Sequence, residues 1–218
     1  MRHVIWDWNG TLCDDLHIVV DAVSASMALF GADPITPEIY RDHYTRPVHL
    51  FYDEMLGRDV TPDEWARIDE TFHDVYRNSM DKASLTADAR AALDHAGGAG
   101  CTQSILSMWW HDELVPTVDA MGLAEKMVLV DGNRAGGGET KTSHLEHHLQ
   151  ALEGSLGHLE FGRVLVVGDS LDDARAAREV GVPCVLYDGG SHHREELEAA
   201  GVPVADTLVQ ALQLGGVA

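Results

Sequence analysis

Four stretches of the chain hold residues whose types and spacing suit phosphate or metal chemistry. In "VIWDWNGT" an apolar run delivers one carboxylate, Asp7, followed by Asn9, Gly10 and Thr11. A carboxylate there can point at a phosphate while the N–H groups of a tight turn approach the same anion. In "SILSMWW", Ser107 offers a hydroxyl, and Met108 beside it a backbone N–H, for a phosphate oxygen. Lys141 follows the Gly-rich "DGNRAGGGET" and could neutralise an anionic nucleophile and a phosphate together. In "VLVVGDSLDDA", Asp169 closes an apolar run and Asp173 follows one helical turn later. Two converging carboxylates suit a hard cation such as Mg²⁺, which takes a few carboxylates and keeps waters. Each residue also has a plain structural reading. These are a turn-stabilising Asp, a helix N-cap, a solvated lysine and an acidic first helical turn.

The elements that must carry these residues follow from periodicity. His3 to Trp8 reads as a buried strand ended by the Asn9-Gly10 turn. Residues 15–85 have apolar positions at helical spacing. "TPEIY" and "TPDEW" set Thr before Pro, with acids behind, as helices begin. Beyond Ala87 helices and strands alternate. Helices are expected over Ala87–His95, Asp112–Met121, Thr142–Leu152 and Asp172–Val180, and strands over Thr102–Leu106, Met127–Val130, Val164–Val167 and Pro183–Leu186. The glycines before Lys141 read as a flexible connection, since no Walker spacing follows them. Such alternation implies an α/β protein with a parallel sheet covered on both faces, whose ligands gather at the carboxyl ends of the strands. The four polar stretches fall there. "HLEHHL" carries His144 and His148 one turn apart and is expected to face solvent.

The order and spacing Asp7-x-Asn9-Gly10-Thr11, Ser107, Lys141 and Gly168-Asp169-Ser170-x-x-Asp173 resembles the four motifs of the haloacid dehalogenase superfamily. Its phosphoglycolate phosphatase-like members are nearest in layout. The resemblance implies a Rossmann-like parallel-sheet core over 1–14 and 86–218, with a helical cap over 15–85 inserted after the first strand. It also implies a phosphatase acting on a small phosphorylated metabolite. Asp7 would be the nucleophile that forms an aspartyl phosphate. Mg²⁺ would be held by Asp7, the Asn9 backbone carbonyl and Asp169, with Asp173 as ligand or support. Ser107 and Lys141 would hold the transferring phosphoryl group. Arg46, in the cap stretch, is the first candidate to meet an anionic end of the substrate.

One position departs from the pattern. Phosphatases of this superfamily normally carry a second Asp where this chain has Asn9, and an amide is neither acid nor base near neutral pH. Its loss removes general acid-base catalysis, worth ~10²–10⁴-fold. A good leaving group, another proton source among cap residues such as His43, Tyr44 and His49, or deamidation of the Asn-Gly pair would each compensate. Three other readings stay open. One is a non-catalytic phosphate-ligand sensor or partner-binding protein on a phosphatase scaffold. A second is a dehalogenase, against which the acidic pair of the fourth motif argues. The last is a phosphonatase using Lys82 as a Schiff base.

Composition sets the outer limits. The 218 residues are 45% hydrophobic and 23% charged, ordinary for a globular protein with a real core. The net charge of -21, from 36 acidic against 15 basic residues, disfavours nucleic acid and anionic membranes as partners. Three widely spaced cysteines form no metal knuckle and suit a reducing compartment. The expectation is a cytoplasmic protein.

Overall fold

The computed structural model describes residues 2–134 and 140–217. The glycines read as a flexible connection, Gly136 to Gly138, lie outside them. In chain order the elements are β1 (His3–Trp6), β2 (Cys13–Asp14), α1 (Leu16–Ala28), α2 (Pro37–His43), α3 (Val48–Leu56), α4 (Pro62–Ser79), β3 (Ser84–Leu85), α5 (Ala89–Gly98), β4 (Thr102–Trp110), α6 (His111–Ala120), β5 (Leu129–Asn133), α7 (Lys141–Leu156), β6 (Val164–Gly168), α8 (Leu171–Val180), β7 (Cys184–Tyr187), α9 (Arg194–Ala199), β8 (Val204–Ala205) and α10 (Leu208–Leu214). Two compact units result. One comprises residues 1–13, 85–190 and 194–218, the other 14–84 with 191–193.

The first unit is built on a six-stranded sheet in the order β5-β4-β1-β6-β7-β8. Its paired strands run parallel. Side chains alternate across β1. Ile5 packs in a cluster with Leu145 and Leu149 of α7 and Ala174 and Ala177 of α8. Trp6 turns to the other face, where its indole N–H donates to Gln103, whose amide in turn donates to the Leu93 carbonyl of α5. Helices thus cover both faces, and β1 is fully buried, which is why it reads as an unbroken apolar run. From β1 the order proceeds to β4 and β5 on one side and to β6, β7 and β8 on the other. That reversal makes the carboxyl end of β1 the switch point, where a crevice opens in sheets of this kind.

The second unit is helical. Val20, Val23 and Met27 of α1 bury against Tyr40, Phe51, Tyr52 and Ile68 from α2, α3 and α4. The two Thr-Pro signals start helices as expected. Thr36 accepts from the Ile39 N–H, and Thr61 and Glu64 cap each other reciprocally, with Pro37 and Pro62 leading their helices.

Two readings need correction. β4 continues to Trp110, four residues beyond the expected end, with a register shift against β5 between Leu106 and Trp110. Aromatic residues favour a pleated, half-buried surface, and the irregularity lets the strand carry Ser107 and still pair at Trp110. His144 and His148 are buried, not solvent-facing. They share the face of α7 that carries Leu145, Leu149 and Leu152, and polar partners on β4 and β5 receive them.

Candidate active site

The carboxyl ends of β1 and β6 deliver Asp7 and Asp169 to the switch point, and the second half of the neighbouring β4 carries Ser107 there. The Asp7 N–H donates to the Val167 carbonyl (2.8 Å), which extends the β1–β6 pairing one residue and fixes where the carboxylate leaves the sheet. Lys141, the first residue of α7, reaches the same point. Its ammonium stands 2.8 Å from Asp7 Oδ2 and 2.5 Å from Asp173 Oδ1, and all three side chains are almost wholly buried. Asp173 turns its other oxygen to Ser170, accepting from the hydroxyl (2.6 Å) and the N–H (3.1 Å). Asp169 is buried beneath, where its Oδ1 accepts from the Thr11 hydroxyl at 3.0 Å. Ligand oxygens of Asp7, Asp169 and Asp173 all lie within 4.8 Å of one another.

Close backbone approach holds Asp169. Gly10 has φ +70°, and a Cβ built on it would stand 2.6 Å from Asp169 Oδ2. A Cβ on Gly190 would meet the same oxygen at 1.7 Å. Neither position has room for a side chain, and Gly10 also needs the left-handed backbone that glycine adopts freely. Gly10 was legible as part of an Asn-Gly turn. Gly190 was missed, although a glycine pair directly after a strand of such a sheet was the available signal.

The expected residues fare differently. Asn9 and Ser107 meet, with the Ser107 hydroxyl donating to Asn9 Oδ1 (3.2 Å) and accepting from the Trp109 N–H (3.0 Å). Met108 follows on β4, half-buried. Thr11, read from the sequence as part of a turn whose N–H groups could approach a phosphate, turns its polar groups to protein atoms. It is fully buried, its hydroxyl is given to Asp169, and its N–H is given to the Trp8 carbonyl. Arg46 belongs to the helical unit, where its Nε donates to the Tyr44 hydroxyl (3.0 Å) and Tyr44 meets His192 edge-on. Lys82 is exposed on a short 3₁₀ turn of that unit.

Electrostatics follow from burial and pairing. Burial pushes the Asp7 carboxyl up, to about 6, against the pull of Lys141. Burial also works against the Lys141 charge, but Asp173 and Asp7 outweigh it and hold the lysine above its ordinary range. The lysine is therefore an ammonium and Asp7 a carboxylate at neutral pH. Three buried carboxyl groups gathered around one ammonium form a donor set that suits a hard cation.

Comparison with known proteins agrees with this geometry. The family model described as "HAD-hyrolase-like" matches residues 138–211, the stretch carrying Lys141, Asp169 and Asp173. Together with the fold and the whole-length relatives below, it supports the resemblance to the haloacid dehalogenase superfamily read from the sequence. It is 24% identical over 229 residues to a phosphoglycolate phosphatase of Vibrio parahaemolyticus, covering 98% of this chain and 96% of that protein. It is 26% identical over 203 residues to a phosphoglycolate phosphatase of Synechococcus elongatus, covering 92% and 90%. Among solved structures, a haloacid dehalogenase-like family hydrolase from Streptococcus pneumoniae superposes with a TM-score of 0.81 at 15% identity, covering 98% of this chain and 97% of that one. A hydrolase from Pseudomonas syringae superposes with a TM-score of 0.74 at 19% identity, covering 98% and 96%.

Proposed function

We propose that the protein is a Mg²⁺-dependent phosphatase of a small phosphorylated metabolite, working through Asp7. The observation that carries this reading is the buried Asp7–Lys141–Asp173 bridge beside Asp169 at the switch point of the sheet. A binding protein needs no carboxylate held in attack position by a buried lysine.

In this reading a carboxylate oxygen of Asp7 attacks phosphorus. The bond from phosphorus to the ester oxygen breaks, and an aspartyl phosphate forms. Water then attacks phosphorus, phosphate leaves, and the Asp7 carboxylate returns. Lys141 orients Asp7 and neutralises charge on the phosphoryl oxygens, and Ser107 and the Met108 N–H hold those oxygens. Asp7, the Asn9 backbone carbonyl and Asp169 would hold Mg²⁺. Asp173 already gives one oxygen to Lys141 and the other to Ser170, which favours support over ligation. The metal would supply charge neutralisation at the transferring group. Arg46 is proposed to meet the anionic end of the substrate. Asn9 can neither protonate the leaving oxygen nor activate the water, so substrates whose leaving group departs as an anion, such as acyl and aryl phosphates, are favoured.

The test is phosphate release from a panel of phosphomonoesters and acyl phosphates, with and without Mg²⁺, for the wild-type protein and Asp7→Asn. Wild type is expected to turn over only with Mg²⁺, and Asp7→Asn to be silent. Phosphate release that survives Asp7→Asn overturns the mechanism. Wild type that binds phosphoesters without turnover makes the protein a phosphate-ligand sensor.

A further inference from the structure

A chain of buried polar groups lies beside the site and takes no part in the chemistry above. The Asp131 carboxylate, at the edge of the sheet on β5, takes His148 Nδ1 (3.3 Å) and His144 Nε2 (3.6 Å) on one oxygen, and Arg134 on the other. His148 Nε2 meets the Ser104 hydroxyl (2.8 Å), Ser104 meets His3 Nε2 (2.8 Å), and His3 Nδ1 meets the Thr102 hydroxyl (2.7 Å). His111 completes the surroundings at the outer end, its Nε2 3.0 Å from Arg134.

The donors and acceptors in this chain allow one consistent arrangement with both rings neutral. Asp131 only accepts, so His148 carries its proton on Nδ1 and leaves Nε2 bare. Ser104 then donates to His148 and accepts from His3 Nε2–H, and the bare His3 Nδ1 accepts from Thr102. Burial favours neutral rings here. It pushes His3 down to about 4, with His148 adding to the effect, and it lowers His148 against the pull of Asp131. Every link is used, and the direction of each is set by the one before it.

The place of this chain gives it a consequence. Lys141, His144, Leu145 and His148 form one buried face of α7. The leucines hold the helix against the sheet, but apolar contact is non-directional and tolerates sliding along the axis. The bonds from His148 to Ser104 and Asp131 are directional, and they tie α7 to two different strands. Two turns away, Lys141 must reach two carboxylates at 2.8 and 2.5 Å. We propose that Asp131, His148 and Ser104 are positioning residues that set the depth at which Lys141 enters the active site. The consequence for turnover rests on the role given to Lys141 above. The anchoring itself does not.

The chain has three lysines, so selectively ¹³C-labelled lysine gives a spectrum in which Lys141→Arg identifies the Lys141 signal. Asp131→Leu is expected to displace that signal and to lower turnover about 10–100-fold, the scale of a misplacement near 1 Å. Asp131→Asn keeps one oxygen to accept from His148 Nδ1 while its NH₂ releases the exposed Arg134 to solvent, and it is expected to keep both near wild type, a rescue that loss of charge alone does not predict. Ser104→Ala removes the central link at little cost in volume and is expected to displace the signal, which keeps the test open if Asp131→Leu fails to fold. An unmoved Lys141 signal in a folded Asp131→Leu or Ser104→Ala variant overturns the proposal, as does equal displacement in Asp131→Asn and Asp131→Leu. A displaced signal with unchanged turnover upholds the anchoring and refutes the catalytic role of Lys141.

Discussion

In the proposed mechanism Asn9→Asp supplies an acid where the amide can give none, and the size of its effect depends on the leaving group. The substitution is isosteric. The Ser107 hydroxyl now donates to Asn9 Oδ1 at 3.2 Å and has the same bond to make to a carboxylate oxygen in the variant, so the turn need not move. The second oxygen of the new carboxyl replaces an amide NH₂ two residues from Asp7. Negative neighbours raise a carboxyl pKa, the direction a general acid requires. General acid-base catalysis is worth ~10²–10⁴-fold, or about 3–5 kcal/mol of barrier. That gain applies in full to alkyl phosphates, whose leaving oxygen must be protonated. For transfer to Asp7, which kcat/KM reports, it shrinks to a few-fold for acyl and nitrophenyl phosphates, whose leaving groups depart as stable anions, while the later attack of water gains alike with every ester. The assay is kcat/KM for phosphate release with saturating Mg²⁺ across a series of esters graded by leaving-group basicity, for wild type and Asn9→Asp. Wild-type rates should fall steeply along the series and variant rates much less. Parallel dependences, or no gain on the alkyl esters, would refute the argument that Asn9 withholds a proton.

Two further outcomes concern stability. Lys141→Met leaves Asp7 and Asp173 buried and facing each other, and breaking a buried pair in this way costs about 3–5 kcal/mol. Calorimetry without metal should show a lower melting temperature that Asp7→Asn partly restores in the double variant, and a change below about 1 kcal/mol would contradict the buried bridge. His3 is held neutral by burial, with a folded-state pKa of about 4 against 6.5 when unfolded. The unfolded chain therefore binds the proton first, so stability is full above about pH 6.5 and falls as the pH drops towards 4. The drop is roughly 3 kcal/mol for this residue. Denaturation midpoints for wild type and His3→Asn across that window should converge at low pH, and a constant gap would speak against a neutral buried ring.

Much of this protein was open to reading from its residues because local signals and the fold agree. β1 and β6 are buried on both faces and so appear as apolar runs, each closed by the carboxylate it delivers. The Thr-Pro starts of α2 and α4 are local chemistry, complete within a single helical turn. Element boundaries were less legible. The extension of β4 to Trp110 depends on its pairing with β5, which no local pattern encodes.

The sequence by itself determined the alternation of strands and helices and the candidate acids at strand ends. Periodicity and side-chain chemistry are properties of the chain alone, whereas the significance of Asn9 came from the resemblance to a family that carries Asp there. Which atoms share a bond was decided only by tertiary structure. Thr11 lies in the turn that follows Asp7 yet donates to Asp169, 158 residues away. Gly190 lies far from every recognised motif, yet no other residue fits against Asp169. His144 and His148 looked like a solvated helix face because their spacing suits either environment. The hydroxyl of Ser104 and the carboxylate of Asp131 on neighbouring strands provide the partners that make burying a histidine tolerable.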